Sequence, residues 1–269
     1  MQPYRIGLQD FFTLPENPVI GSLFQQNQPV WTGLNRIHSV CLSFFNEFKL
    51  VRPLPKCFQS QTWLTRDNQL ETVIFVASGF SAENDIVFSE SQIALGKGST
   101  IEPGVVIKPP LIVGRSTEIR QGSYIRGGVI VGDFCTVGHS TEIKSAVLMN
   151  HSEAGHFAYI GDSIIGNYVN LGAGTRLANL RFRSLEQKQK QLFPEIFVEL
   201  NNEKLPTNLS KFGAILGDGV ETGCNTVIAP GSLIGRETWI YPCAFVKGGY
   251  YPERSIINTD SVLLVRAKK

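Results

Sequence analysis

Three basic residues stand eighteen positions apart, and this spacing makes them the first candidates for chemistry in the chain. They are Lys108, Arg126 and Lys144. If the fold places residues eighteen apart above one another, at the roughly 4.8 Å that separates paired strands, the three cations form one column. Neighbouring charges then repel each other by about 3 kcal/mol at an effective dielectric near 20. Such a column is either solvated on an exposed corner or held in place to meet an anion such as a phosphate group.

The four histidines are the next candidates, because the unperturbed pKa of imidazole, about 6.5, suits a general base at neutral pH. His38 falls on a predicted helix, where packing is its expected role, and His139 carries no prediction. His151 and His156 are five residues apart, a ligand spacing that resembles the hexapeptide carbonic anhydrases. Arg115 stands where their third histidine belongs, so the zinc set is incomplete and we expect no metal site.

A repeat of six residues defines the elements that would position these side chains. One apolar residue, the guide residue, recurs every six positions, with a pause between residues 149 and 216 and with Thr222 out of type. Three hexapeptides make one triangular coil of a parallel β-helix, which gives the coil length of eighteen. The guide residues are Leu95, Ile101, Ile107, Val113, Ile119, Ile125, Val131, Val137, Ile143 and Met149, then Leu216, Ile228, Ile234, Ile240 and Val246.

A second set of positions supports the same fold. Four residues after each guide residue stand small or β-branched residues, including Ser99, Thr117, Val147 and Thr226, as a narrow interior requires. Glycine often follows the guide residue, and we expect tight turns there. The sequence therefore predicts an all-β chain, a parallel β-helix with a small mixed α/β lobe at its N-terminal end.

Composition narrows the classes of partner. The net charge of the 269 residues is only +2, which favours neither nucleic acid nor an anionic membrane as a partner. No run of about eighteen apolar residues occurs, so no membrane span is expected. Five cysteines without a CxxC pair are typical of a reduced compartment, and the N-terminus lacks a signal-peptide pattern. We therefore expect a cytoplasmic protein.

Three regions follow from where the repeat begins and stops. Residues 1–88 lack it, are rich in aromatic residues, and are predicted to form a capping lobe with a helix over 35–48 and a strand over 72–77. Residues 89–250 form the β-helix, interrupted by a polar excursion, a loop or hairpin, over 179–211. Residues 251–269 form a tail with a strand-like segment over 261–266.

Three short motifs carry a family resemblance. They are EIK at 142–144, AGHFAYIGD at 154–162 and VNLGAGT at 169–175. They resemble the acetyltransferase half of the bifunctional glucosamine-1-phosphate acetyltransferase/N-acetylglucosamine-1-phosphate uridyltransferase. The later part, 178–218, is closer to archaeal sugar-phosphate nucleotidyltransferases that carry the same acetyltransferase tail. The resemblance implies a left-handed β-helix, a homotrimer, and transfer of an acetyl group from acetyl-CoA to an amino sugar phosphate such as glucosamine-1-phosphate.

The resemblance also implies roles for individual residues. His156 corresponds to the general base that takes a proton from the sugar amine, and Asn179 to a polar group beside that amine. Arg126 and Lys144 correspond to the residues that hold the sugar phosphate. Tyr159 and Asn170 are implied to line the sugar, and Lys211 is implied to face the phosphate. Cys224 and Pro242 are implied to contact acetyl-CoA near residues 241–245.

The chain departs from the family at several points. The family commonly has serine where Cys224 stands, and a thiol is a weaker hydrogen-bond donor. The excursion over 179–211 differs from the shorter bacterial loop, and no Gly-rich nucleotide loop occurs, so no uridyltransferase activity is expected. Two alternatives therefore stay open beside the N-acetyltransferase. They are an acyltransferase that acts on a nucleotide-linked amino sugar and a non-catalytic trimer that binds a sugar phosphate.

Overall fold

Hexapeptide coils account for most of the chain. The computed structural model describes residues 6–48, 51–201 and 203–259, and these form a left-handed parallel β-helix of about nine turns with a small mixed lobe against it. The predicted fold class is confirmed. None of the helices in these ranges has the length and the apolar character that a membrane span requires.

Each coil contributes one strand to each of three faces, and each strand pairs in parallel with the strands of the coils before and after it. The first face contains Ile93–Leu95, Leu111–Val113, Ile164–Ile165, Ala214–Leu216, Ser232–Ile234 and Gly249–Tyr251. The second contains Thr100–Ile101, Glu118–Ile119, Thr136–His139, Glu153–His156, Asn170–Leu171, Glu221–Thr222, Trp239–Ile240 and Ile256–Ile257. The third contains Val106–Lys108, Tyr159–Gly161, Arg176–Leu177, Val227–Ile228 and Phe245–Val246. Two longer strands bend from the third face into the first, Tyr124–Val131 and Glu142–Leu148.

The interior is apolar along the faces and carries small hydroxyl side chains near the corners. These buried hydroxyls donate to backbone carbonyls of the next coil, for example Ser99 to Gly114 at 2.5 Å and Thr117 to Gly132 at 2.7 Å. Thr222, the guide residue out of type, lies 2.8 Å from the hydroxyl of Thr175. These buried hydroxyls are therefore paired, which explains why Ser and Thr are accepted inside so narrow a core.

Several steps between coils are one residue shorter than the repeat predicts. Ile143 pairs with Ile160, and Val131 pairs with Leu148, so the step is seventeen residues. Leu148 is therefore the inward guide residue. The prediction that Met149 fills this position is wrong, because Met149 packs in a second core outside the β-helix.

The missing residue lies at the corner between the third and first faces. The earlier coil turns there through Gly127 and Gly128, whereas the next coil turns through Ser145 alone, with φ 45°. Ala146 then takes the inward position predicted for Val147, which points to the outer core instead. The sequence does not reveal this shift, because residues 146–149 are all apolar and each of them can be buried either inside the β-helix or in the second core.

A coil wound in the opposite direction covers the N-terminal end. Its strands pair antiparallel with the first regular coil on all three faces. We call its outer two strands the cap hairpin, because they pair antiparallel with each other. The cap hairpin comprises Phe58–Leu64 and Leu70–Val76, and the coil continues through Phe80–Ser81 and Ile86–Phe88.

The helices of the lobe lie along the side of the β-helix instead of over its end. They are the 3-10 helices Leu8–Asp10 and Val30–Arg36 and the α-helices Pro18–Gly21 and Ile37–Asn46. Their buried residues share the second core with outward side chains of the first face, which include Ala94, Ile112, Ile130 and Ile215. The first face is therefore buried on both sides. The domain boundaries at 88 and 250 stay predictions, and the tail segment 261–266 lies outside the described residues.

The excursion contains regular structure of its own. A short helix, Leu185–Gln189, precedes a hairpin of Ile196–Leu200 and Glu203–Leu209. Ile196, Val198 and Leu209 are buried in the second core beside the lobe. One side of the excursion is thus anchored, while large apolar side chains at its other side are exposed, Phe182 completely.

Candidate functional site

The third face carries the column of cations. Arg126 is the register partner of Lys108 on one side and of Lys144 on the other, so the three residues lie on successive coils. All three line one cavity of about 540 Å³ at the corner between the third and first faces. The column that the spacing predicted is therefore present as a geometric arrangement.

Each cation of the column is paired with a carboxylate. Lys108 contacts Glu71, the Nη1 of Arg126 lies 2.6 Å from Oε1 of Glu142, and the Nζ of Lys144 lies 3.2 Å from Oδ2 of Asp162. The hydrogen bond that Arg126 donates to Glu142 raises the pKa of Arg126 above its ordinary value, against the opposing effect of burial. Burial alone would lower the pKa of Lys108, but hydrogen bonds with Glu71 and Tyr124 outweigh it, so the pKa is raised. An anion that bound to these cations would therefore have to exchange with the carboxylates.

A chain of hydrogen bonds joins four of the polar residues at the end of the third face. Asp162 accepts from the Nζ of Lys144 and, at 2.5 Å, from the Nδ2 of Asn179. The Oδ1 of Asn179 accepts from the hydroxyl of Tyr159 at 3.2 Å. Burial, followed by the nearby carboxylates, raises the pKa of Tyr159, so the phenol stays neutral and able to donate.

Gly161 makes room for this chain of hydrogen bonds. A Cβ at this position would lie 2.8 Å from both the Nδ2 of Asn179 and the hydroxyl oxygen of Tyr159. The side chains of Tyr159 and Asn179 therefore meet over a residue that has no side chain. The structure thus brings together Arg126 and Lys144, on successive coils, with Tyr159 and Asn179.

His156 lies on a different edge of the prism. It ends the strand Glu153–His156 on the second face, its side chain is exposed, and its register partner is His139. Asn170 lies on the next coil of the same face, where its Nδ2 donates to Glu221 at 3.1 Å. Within the described ranges, no hydrogen bond or ion pair joins the imidazole of His156 to the residues of the third face.

The two residues assigned to acetyl-CoA lie on the same edge as His156. The strand registers place Cys224 two coils and Pro242 three coils beyond it, at the corner between the second and third faces. Both are exposed, and the carbonyl of Cys224 accepts from the amide of Cys243 at 2.9 Å. A groove that followed this edge would therefore run beside the imidazole of His156.

Lys211 does not join the column. It lies at the end of the excursion, with its Nζ 5.7 Å from the ring centre of Phe193. The guanidinium of Arg183 covers the same ring at 4.2 Å. Lys211 thus belongs to a cationic part of the excursion. This part lies toward the end of the column that is opposite to Lys108.

His151 and His156 lie at opposite ends of the second face. His151 is stacked between the rings of Phe134 and Tyr168, at centroid distances of 5.0 and 4.7 Å. No group of three or more His, Cys, Asp or Glu side chains suited to a metal occurs in the part of the chain that the structure describes. The two histidines therefore do not lie side by side, despite their spacing of five residues.

The three carboxylates of the column were not identified from the sequence. Glu142 stands two residues before Lys144 on one strand, so alternation puts both side chains on the same side. Asp162 follows Gly161 at the corner, and Glu71 comes from the cap hairpin. The sequence alone indicates that Glu142 and Lys144 lie on the same side of one strand. The contact of Glu71 with Lys108, by contrast, depends on how the cap is wound.

Comparison with known proteins identifies relatives over the middle of the chain. A family model described as the GMPPB C-terminal domain matches residues 107–223. A bifunctional sugar-1-phosphate nucleotidylyltransferase/acetyltransferase of Sulfurisphaera tokodaii is 40% identical over 104 residues, 39% of this chain and 24% of that protein. The bifunctional protein GlmU of Methanococcus aeolicus is 31% identical over 126 residues, 47% of this chain and 28% of that protein. The chain thus spans about a quarter of the length of these relatives.

One solved structure also matches part of the chain. It is the UDP-N-acetylglucosamine acyltransferase of Francisella novicida, with a TM-score of 0.40 and 17% identity over 56% of this chain and 53% of that one. The predicted resemblance to bifunctional sugar-phosphate nucleotidyltransferase/acetyltransferases is confirmed by the sequence relatives.

Proposed function

From this similarity and the arrangement of side chains on the β-helix, we propose that the protein is an acyltransferase that acts on a sugar phosphate. In its specific form it transfers the acetyl group of acetyl-CoA to the amine of an amino sugar phosphate such as glucosamine-1-phosphate. The observation that carries the proposal is the register of Arg126 and Lys144, linked by Asp162 to Asn179 and Tyr159. Two adjacent cations backed by neutral donors suit a phosphate attached to a hydroxylated ring.

The chemistry is direct attack of the amine on the thioester. The C–N bond forms as the C–S bond breaks, His156 takes the proton from the amine, and CoA leaves as the thiolate that is then protonated. Arg126 and Lys144 hold the phosphate, Tyr159 and Asn170 contact the sugar, and Asn179 orients the amine. Because no step needs an electrophilic metal, the acyl transfer proceeds without one.

Assembly completes the site in this proposal. His156 and the column lie on different edges of one chain, so an acceptor held by the column of one copy would reach the edge of another. In a homotrimer three such sites form between subunits, with acetyl-CoA along the edge that carries Cys224 and Pro242. Lys211 would approach the phosphate from the excursion, and a cytoplasmic location supplies both substrates.

Release of free CoA from acetyl-CoA in the presence of glucosamine-1-phosphate tests the proposal. We expect turnover by the natural chain and a loss of about 10²- to 10⁴-fold in kcat for His156→Ala, the usual contribution of a general base. His139→Ala is the matched control, because His139 is the register partner of His156 on the preceding coil. Equal activity of the natural chain and His156→Ala would remove the imidazole from the mechanism.

A further inference from the structure

The cavity that holds Arg126 and Lys144 continues one coil further than the residues assigned to the phosphate. Lys108 lines it as well, and its far wall is built by the cap hairpin and by the turn before the first regular strand. At about 540 Å³ the cavity exceeds the space that a single phosphoryl group needs. What occupies the end at Lys108 therefore bears on which acceptor the protein takes.

Lys108 differs from the other two cations in the origin of its partner. Arg126 and Lys144 are paired with carboxylates of the following coil, whereas the partner of Lys108, Glu71, belongs to the cap hairpin. The side chains of Lys108 and Glu71 are only 22% and 33% exposed. A separate element thus sets the charge at this end of the cavity.

We propose that Glu71, by pairing with Lys108, ends the anion-binding part of the cavity and selects acceptors with one phosphoryl group over diphosphate-linked ones. This inference rests on the proposed function and specifies its substrate class. A second phosphoryl group carried one coil further would have to displace Glu71, a carboxylate held by the separate cap hairpin, in addition to the carboxylates that it exchanges with at Arg126 and Lys144. Specificity of this kind comes from a repulsive group placed against the wrong ligand.

Binding of inorganic phosphate and of pyrophosphate, measured by calorimetry, tests the inference without any turnover. The natural chain is expected to bind pyrophosphate no more tightly than phosphate. Glu71→Gln keeps the shape of the side chain, removes its charge and frees Lys108, so pyrophosphate should bind about tenfold more tightly while phosphate changes by less than about threefold. Thermal unfolding of each variant verifies that the cap hairpin remains folded.

Glu90→Gln is the matched control. Glu90 lines the same cavity but, among the described residues, forms no ion pair with Lys108. Removing its charge should leave the ratio of the two affinities unchanged. A similar shift in Glu90→Gln would mean that the total charge of the cavity, and not the pair of Glu71 and Lys108, controls the preference.

Other outcomes overturn the inference directly. A natural chain that prefers pyrophosphate by tenfold or more, that binds neither anion, or whose preference is unchanged by Glu71→Gln contradicts it. Turnover with glucosamine-1-phosphate and with UDP-glucosamine separates the two proposals. If neither sugar is acetylated but the affinity ratio responds to Glu71→Gln as expected, the proposed function fails and the selection by Glu71 stands.

Discussion

Asp162 connects two residues that the proposed function assigns to different parts of the acceptor. Its side chain is 13% exposed and accepts hydrogen bonds from both Lys144 and Asn179. Replacing it with Asn leaves a largely buried ammonium without its counter-charge, so we expect Asp162→Asn to lower the free energy of unfolding by about 2 kcal/mol. Urea denaturation followed by circular dichroism measures the change.

Glu237→Gln provides the comparison for an exposed pair. Glu237 contacts Arg254 at 2.9 Å, but both side chains are 60% or more exposed. Such pairs contribute little to stability because water screens them. If Glu237→Gln lowers the free energy of unfolding as much as Asp162→Asn does, the hydrogen bonds of Asp162 contribute no more to stability than an exposed ion pair does.

Four of the five cysteines fall into two classes of exposure. Burial raises the pKa of Cys41 and of Cys135 to about 12, whereas Cys224 and Cys243 are exposed. We expect a thiol reagent at pH 8 to label Cys224 and Cys243 in the folded protein and the buried pair only after denaturation. Mass spectrometry of the labelled peptides reads the result, and labelling of Cys135 before unfolding would contradict it.

The same burial has a consequence for alkaline stability. A folded-state pKa above the unfolded value near 9.0 means that the folded protein holds its thiol protons more tightly. The contribution is complete below about pH 9 and is lost progressively as the pH rises toward 12. The free energy of unfolding should therefore fall through this window, and less so in Cys41→Ala.

At the scale of the residue, the sequence predicted where the cations lie better than it predicted which side chains they contact. The spacing of eighteen was sufficient to place Arg126 between Lys108 and Lys144, because register follows from coil length alone. The carboxylates that neutralise them come from neighbouring coils and from the cap. Such contacts depend on side-chain direction and chain winding, which a repeat period does not contain.

Glycine residues allow neighbouring coils to approach each other closely, because they have no side chain. A Cβ on Gly138 would lie 1.7 Å from the carbonyl oxygen of Gly155, while a Cβ on Gly155 would meet no atom within 4 Å. We expect Gly138→Ala to lower the free energy of unfolding by about 3 kcal/mol through backbone displacement. Gly155→Ala, one coil further, should change it by less than about 1 kcal/mol, and equal losses would refute the steric explanation.

The glycines after guide residues precede tight turns and also serve this close packing. Gly96 and Gly114 were predicted to mark tight turns, and the amide of Ser99 donates to the carbonyl of Gly96 at 3.1 Å across such a turn, although neither glycine has a positive φ. A Cβ on Gly114 would lie 2.3 Å from the Oδ1 of Asp133, which accepts from the amide of Arg115 at 2.7 Å. The motif Val113-Gly114 therefore provides space for a side chain of the next coil.

The placement of the lobe was the element-scale feature that the six-residue period did not predict. The strands of the first face read as unbroken apolar triplets, such as Ile93–Leu95 and Leu111–Val113. An unbroken apolar strand is typical of burial on both sides. This pattern, and not the period, indicates that another layer covers the face.

Within the residues that the structure describes, two of the three faces of the β-helix are uncovered. Large apolar side chains on the second and third faces and their shared corner are exposed, notably Trp239 at 59% and Phe245 at 61%. A proposed homotrimer would bury such residues, because contiguous exposed apolar surface marks interfaces. We expect Phe245→Glu to dissociate the trimer, as measured by light scattering coupled to size-exclusion chromatography.

Phe134→Glu serves as the control for this measurement. Its ring is 55% exposed, at the corner between the first and second faces, away from Phe245. The variant should keep the mass of the natural assembly. A monomeric natural chain, or loss of assembly in both variants alike, would contradict an interface at the corner between the second and third faces.

The reversed coil at the N-terminal end limits how these molecules can associate. A helix of identical parallel rungs would present open strands to the rungs of another molecule and could extend as a fibre. Here the last rung runs backwards on all three sides and ends in the outer strand Phe58–Leu64, whose side chains are mostly exposed and polar. Polymerisation through this end is thereby disfavoured, and the counter-running rung acts as a terminator built into the chain itself.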